Sequence, residues 1–278
     1  MLSQWDSFLK NLGEWHGSFT RFSPQGEETE DTPTLVTIEG LNDNQNVHQV
    51  VRYLPPDKPS RDVVVDYDSL NRSILFFKNG AFSQGSMQWG PYSTFGGEFG
   101  LIDNEFGDGT RRLRMVELYN NTSQLQKVVL IREKLPHSTV ADRPLLTVES
   151  LLGTWMGNAT TLYANLSNPT EFSSQLVIKQ KDSSHIEQSL SFGERTINST
   201  ARIEDNRLIF GDDSLSTQVM LLPDGASCSC PLKVTSGRNF VLEMGWLLQP
   251  NIRQRIMRSY NEKGNWVSCT LVTEKKVA

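Results

Sequence analysis

The sequence predicts an all-β chain built as two tandem antiparallel barrels, each preceded by a short N-terminal helix. Three observations carry this. A Gly-x-Trp-x-Gly motif occurs twice, as Gly13-Glu14-Trp15-His16-Gly17 and Gly153-Thr154-Trp155-Met156-Gly157, each time after a short helical run ending in Leu-Gly. The blocks that follow each copy recur in the same order, which is the mark of an internal repeat. Between those blocks run short alternating segments rich in β-branched and aromatic residues, separated by turn residues and almost without helical period.

The repeat is collinear over the whole chain. Phe95…Gly100 and Phe240…Gly245 both read Phe-x-x-Glu-x-Gly, and Arg112-Leu113-Arg114 with Tyr119 returns as Arg253-Gln254-Arg255 with Tyr260. Leu130-Ile131-Arg132-Glu133-Lys134 returns as Leu271-Val272-Thr273-Glu274-Lys275, and Phe77…Met87 matches Phe210…Met220. The drifting offsets are those of one unit duplicated with loops of different length. The expected division is residues 1–135 for the first barrel, 136–144 for a proline-bounded polar linker, and 145–278 for the second barrel. Each unit is of ordinary domain size, long enough to bury a core without disulfides.

In chain order, residues 3–12 form a short amphipathic helix, with Ser3 as cap, Asp6 three residues on, and Trp5, Phe8, Leu9 and Leu12 on one stripe. That stripe suits a plug on a barrel end, and Gly13 ends the helix. Trp15, Gly17, Phe19 and Arg21 then share one face of the first strand. Strands follow over Thr34–Ile38, Val47–Tyr53, Asp62–Tyr67, Ser73–Phe77, Ala81–Ser83, Gly97–Ile102, Arg112–Tyr119 and Gln126–Glu133, separated by Gly, Pro, Asn and Asp clusters. Thr147 caps a second short helix, the strands repeat from Gly153 to Thr273, and residues 274–278 read as a solvated tail.

The 278 residues carry 27 Lys and Arg against 32 Asp and Glu, with no basic run, so nucleic acid is not an expected partner. No apolar stretch reaches the ~20 residues that span a bilayer, and the N-terminus lacks the pattern of a secretory signal; the expected location is the cytoplasm. Three cysteines, Cys228, Cys230 and Cys269, make no disulfide framework. Cys228-Ser229-Cys230 is a metal or redox pair only if more ligands join it; without a second Cys pair or a nearby His, it reads as small residues in an irregular loop segment, and no metal or cofactor is expected. His16, His48, His137 and His185 are scattered without metal-type spacing, and no nucleophile elbow, P-loop or dinucleotide fingerprint appears.

A short helix, Gly-x-Trp on the first strand and a run of up-and-down strands resembles the lipocalin or calycin superfamily, whose barrels hold a small apolar ligand in their mouths. The resemblance implies that Trp15 and Trp155 close the barrel bottoms and that a cation from a late strand packs across each indole. Arg132 fits that role in the first half; its counterpart is Thr273, which leaves Lys275 or another side chain in the second. The tandem arrangement is similar to a two-domain lipocalin-like family of cyanobacteria and photosynthetic eukaryotes without an assigned function, and more distantly to the S-type phycobiliprotein lyases.

The most suggestive constellation is Glu98 with Arg112 and Arg114, repeated as Glu243 with Arg253 and Arg255. If these face inward, the guanidiniums suit bidentate capture of an acidic group on an apolar ligand, oriented by the glutamate. If outward, they are cross-strand salt bridges of little energy. Under the inward reading, Trp89, Phe99 and Tyr119 are candidate lining in the first half, and Trp246 and Tyr260 in the second. The expected function is binding of a small hydrophobic or amphipathic ligand of pigment, bilin or lipid type. The alternatives are a bilin lyase, isomerase or chromophore chaperone using Glu98 or Glu243 as acid or base, and a structural or assembly factor with a protein partner.

Overall fold

The computed structural model describes residues 3–211 and 216–277. Ser3 Oγ accepts from the Asp6 main chain at 3.0 Å while Asp6 accepts from the Ser3 N–H, so α1 (Gln4–Phe8) starts in a capping box and tightens into a 3₁₀ turn over Leu9–Asn11. The second unit repeats this with Thr147 and α2 (Val148–Leu151). Gly13 and Gly153 then turn the chain into the first strand of each sheet at φ of 143° and 122°, which a side chain would strain.

The first sheet holds β1 (Gly13–Phe22), β2 (Glu28–Leu41), β3 (Asn46–Tyr53), β4 (Arg61–Tyr67), β5 (Ile74–Phe76), β6 (Phe82–Gly85), β7 (Phe95–Ile102), β8 (Arg111–Tyr119) and β9 (Leu125–Lys134). The second holds β10 (Gly153–Tyr163), β11 (Thr170–Asp182), β12 (His185–Phe192), β13 (Arg195–Glu204), β14 (Arg207–Phe210), β15 (Thr217–Leu221), β16 (Ala226–Pro231), β17 (Phe240–Gln249), β18 (Ile252–Tyr260) and β19 (Trp266–Val277). Pairing is antiparallel throughout, between sequence neighbours and between first and last strands. The second sheet closes into a ten-stranded barrel. The first curls in the same order but leaves β4 and β5 as unpaired edges, with residues 68–73 between them and Leu70 packed against the first unit's core. The fold class is the expected one, with the first barrel opened along one side. The segment Ala226–Pro231 is a regular strand rather than an irregular insert, and β19 runs to Val277 rather than ending before a solvated tail. Ala278, the last residue of that expected tail, lies outside the described residues.

Strand alternation sorts the side chains into three cores. Inward faces make one core per unit, around Trp15, Val36, Ile38, Val47, Phe8 and Phe76 in the first, and around Trp155, Leu176, Ile178, Ala201 and Leu151 in the second. The third is shared: outward faces of β7, β8 and β9 (Phe99, Leu101, Leu113, Met115, Leu130) pack against those of β16 to β19 (Cys228, Met244, Trp246, Ile256, Leu271).

This shared face has an internal pseudo-twofold. The Tyr119 hydroxyl donates to Pro231 O at 3.0 Å, and its repeat counterpart Tyr260 donates to Ser86 O at 2.7 Å. Leu125 N donates to Leu232 O at 2.8 Å, as Trp266 N does to Met87 O at 2.9 Å. Ser86 and Met87 therefore correspond to Pro231 and Leu232, and the expected match of Phe77…Met87 with Phe210…Met220 does not hold in the strand register. A duplicated unit packed on its own copy through the same strands gives such a self-complementary interface.

Candidate functional site

Glu98, Arg112 and Arg114 face inward, and the structure brings them together with a fourth residue, Glu133 of β9. Arg114 Nη1 donates to Glu98 at 2.8 Å, and its Nε and Nη2 donate to Glu133 at 3.0 and 2.7 Å. Arg112 Nε donates to the same carboxylate at 2.7 Å, and its guanidinium lies 4.5 Å from the centroid of Trp15. Trp15 in turn donates its indole N–H to Asn11 O at 3.0 Å, locking strand to helix end. The second half repeats each part. Arg253 and Arg255 meet on Glu274, Arg255 Nη1 reaches Glu243 at 3.1 Å, Arg253 lies 4.9 Å from the Trp155 centroid, and Trp155 donates to Leu151 O at 2.8 Å.

Each layer is therefore electrically closed, with two guanidiniums and two carboxylates. Burial pushes the Glu133 carboxyl up, but Arg112 and Arg114 more than offset this and hold it below the ordinary carboxylate range; Glu274 behaves the same way between Arg253 and Arg255. Burial lowers Arg112 and Arg253 below the usual guanidinium value, and Arg114 and Arg255 are raised because two glutamates outweigh their burial. Glu98 and Glu243 are the less buried carboxylates of their layers. An acidic ligand does not find an empty pair of arginines here; it has to displace Glu98 from Arg114 or Glu243 from Arg255.

Two expectations are corrected by parity. The cation over Trp15 is Arg112, not Arg132. Glu133 points inward, so its neighbour Arg132 points outward, where its Nη2 donates to Thr20 at 2.9 Å. Over Trp155 the cations are Arg253 and Lys276, the latter at 4.8 Å, and Glu274 is fully buried. Trp89, Phe99, Tyr119, Trp246 and Tyr260 do not line a barrel interior; all five lie in the core shared by the two units. Phe99 is one residue from the inward Glu98, Trp246 is three from Glu243, and Tyr119 and Tyr260 are five from Arg114 and Arg255, so alternation turns each to the other face. The signal for Glu133 and Glu274 was present in the sequence: both stand 21 residues after Arg112 and Arg253.

Of the residues above each charged layer, the sequence placed only Phe19, on the face of Trp15. In the first unit the inner face carries Phe19, with Arg114 5.5 Å from its ring centroid, then Tyr53 and, paired with Val51, Val63 of the edge strand β4. In the second it carries Phe172, Phe192 and, paired with Leu190, Ile197. Val63 is 39% exposed and Ile197 52% although both belong to inner faces, so the distal end of each inner face reaches solvent. There apolar side chains alternate with charged ones, Arg21 paired with Glu30 and Arg61 lying 4.8 Å over the Tyr53 ring in the first unit, and Arg195 opposite Phe192 in the second.

Comparison with known proteins places the chain. It is 46% identical to a crystallised protein of unknown function from Nostoc punctiforme, over 100% of both chains and with a TM-score of 0.93. The chain belongs to the DUF3598 family. Residues 1–138 match the model of its N-terminal domain of unknown function, and residues 142–277 match the model described as biogenesis factor required for ATP synthase 1, C-terminal domain. An S-type phycobiliprotein lyase from Guillardia theta is 15% identical, covering 47% of this chain and 90% of its own, at a TM-score of 0.37. A comparison with the curated proteins found no match. No described helix is long and apolar enough to cross a membrane.

Proposed function

We propose that the distal halves of the barrels bind a small amphipathic molecule, its apolar body against the inner wall and its polar end at the charged layer. The observation that carries this is the exposure of inward apolar side chains, Val63 and Ile197, on the same inner faces as Arg114–Glu98 and Arg255–Glu243. Apolar walls with a few converging polar groups are what small-molecule sites use. The first barrel adds a lateral slot, since β4 has no strand partner on its outer side. A ligand acid takes the place of Glu98 on Arg114 Nη1, while Glu133 keeps both arginines in position; Gln84, which donates to Glu98 at 2.6 Å, then serves the ligand's second oxygen. Ligand of the pigment, bilin or lipid type fits such a chamber.

The test is a thermal-shift titration with fatty acids, carotenoids and bilins on wild type, Val63→Asp and Ile197→Asp. Binding weakened tenfold or more by one of these exposed substitutions locates the chamber. Unchanged affinity in both variants, with the ligand retained, removes it from the barrels.

A second reading is favoured by the match of residues 142–277 to the biogenesis-factor model: a factor that assists assembly by binding a protein partner. Its mark is stoichiometric co-purification of a protein with the wild type, undiminished by the two aspartate substitutions.

A further inference from the structure

We propose that Glu117 of β8 with Cys228 and Cys230 of β16 forms a soft-metal site, fit for Zn²⁺, that staples the two units together. The Cys-x-Cys pair lacks a partner in its own neighbourhood of the sequence because the third donor comes from the other unit, 111 residues before Cys228. On a regular strand the two cysteines share one face, and their sulfurs stand 3.9 Å apart. Two thiolates bound tetrahedrally at ~2.3 Å each stand roughly 3.8 Å apart. Glu117 Oε1 is 3.4 Å from Cys228 Sγ, and the three donor atoms all lie within 4.8 Å of one another. All three residues are fully buried.

The pseudo-twofold shows why this cluster is unusual. By repeat position Arg258 corresponds to Glu117, while strand register equates Ser83 and Gly85 with Cys228 and Cys230, since Ser83 pairs with Phe99 as Cys228 pairs with Met244. At that copy of the interface, Arg258 donates to Gly85 O and Ser86 O at 3.2 Å and stacks 3.6 Å over Trp266. At the Glu117 copy a carboxyl faces two thiols, and among the described residues no cation is paired to it. Its Oε2 has no hydrogen bond of good geometry, although the main-chain N–H of Glu243 favours the charged form. Burial first, and Cys230 beside it, push the Glu117 carboxyl well above its ordinary value, and burial pushes the Cys228 thiol up. Buried polar atoms left in this state are costly.

A thiophilic divalent cation resolves the cluster. Two thiolates and one oxygen of Glu117 supply three of the four donors that tetrahedral Zn²⁺ takes, and thiolate with carboxylate suits its borderline-soft character. The thiol and carboxyl protons leave to solvent, so uptake strengthens as pH rises. The filled site carries one net negative charge, two thiolates and a carboxylate against Zn²⁺. Because the donors are enclosed, the metal enters as the units dock.

The test refolds the full chain under reducing conditions with Zn²⁺, or with Co²⁺ as a spectroscopic probe, and measures metal after gel filtration. Protein expressed in zinc-supplemented medium gives the same comparison without refolding. The expected result is one metal per chain, a thiolate-to-Co²⁺ charge-transfer band, and a chelator-sensitive rise in Tm. All three are lost in Cys228→Ser/Cys230→Ser and in the near-isosteric Glu117→Gln, whose metal-free Tm is not below that of metal-free wild type. Folded wild type with no bound Zn²⁺ or Co²⁺, or metal retained in both variants, overturns the proposal.

Discussion

Glu133→Gln probes the charged layer most directly. Glu133 is fully buried and accepts three hydrogen bonds, from Arg112 Nε at 2.7 Å and from Arg114 Nε and Nη2 at 3.0 and 2.7 Å. Glutamine conserves the volume, so no cavity opens. Its single amide oxygen, however, serves only part of the two guanidiniums, and its NH₂ group turns a donor toward donors. The layer goes from two positive and two negative charges to two positive against Glu98 alone. Removing one partner of a buried ion pair costs about 3–5 kcal/mol, a large part of the ~5–15 kcal/mol that holds a domain folded. The assay is urea unfolding followed by circular dichroism, with Glu274→Gln as the second-half counterpart. Adding Arg112→Met to Glu133→Gln recovers part of the loss, because the strays are then one charge fewer. A loss below about 1 kcal/mol, the range of solvated pairs, refutes the buried, mutually compensated layer.

Three further outcomes follow from the same geometry. Glu133 and Glu274 have folded values below the unfolded carboxylate value, so their stabilisation is complete above that range and is lost as pH falls through the depressed values; acid unfolding of either glutamine variant is correspondingly shallower. Glu117 has the opposite sign: its raised folded value makes the metal-free wild type lose stability as pH rises through the interval above the ordinary carboxylate range. Metal-free Glu117→Gln therefore melts above wild type at about pH 8 and converges with it at about pH 4. Gly17→Ala drives a Cβ into the Arg132 carbonyl oxygen, which forces β1 and β9 apart and costs about 1–3 kcal/mol or more in the same urea assay. A cost within a few tenths of a kcal/mol shows that the two strands accommodate it.

The fold was legible because duplication doubled every local signal: two capped helices, two Gly-x-Trp turns, two paired arginines. The inward position of Glu98, Arg112 and Arg114 was left open because alternation says which residues share a face without saying which face is inside. The same parity separates Phe99 from Glu98 and Arg132 from Glu133, so once one residue is placed the rest follow. What alternation could not supply was the second buried face. Outward residues on a single barrel meet water, and only the packing of one unit on the other turns Tyr119, Trp246 and Tyr260 into core. The partnership of Glu117 with Cys228 is invisible in sequence for the same reason. The open side between β4 and β5, with Leu70 packed against the first unit's core, is a tertiary choice with no periodic signature.

The measurement that bears most directly on the binding function is native mass spectrometry, with an absorption spectrum, of the protein purified from a pigment-producing host. The account predicts a population heavier than the bare chain by the mass of a small amphipathic molecule, and loss of that mass in Val63→Asp or Ile197→Asp. Bare chain mass in every preparation, with no thermal shift from fatty acids, carotenoids or bilins, contradicts it.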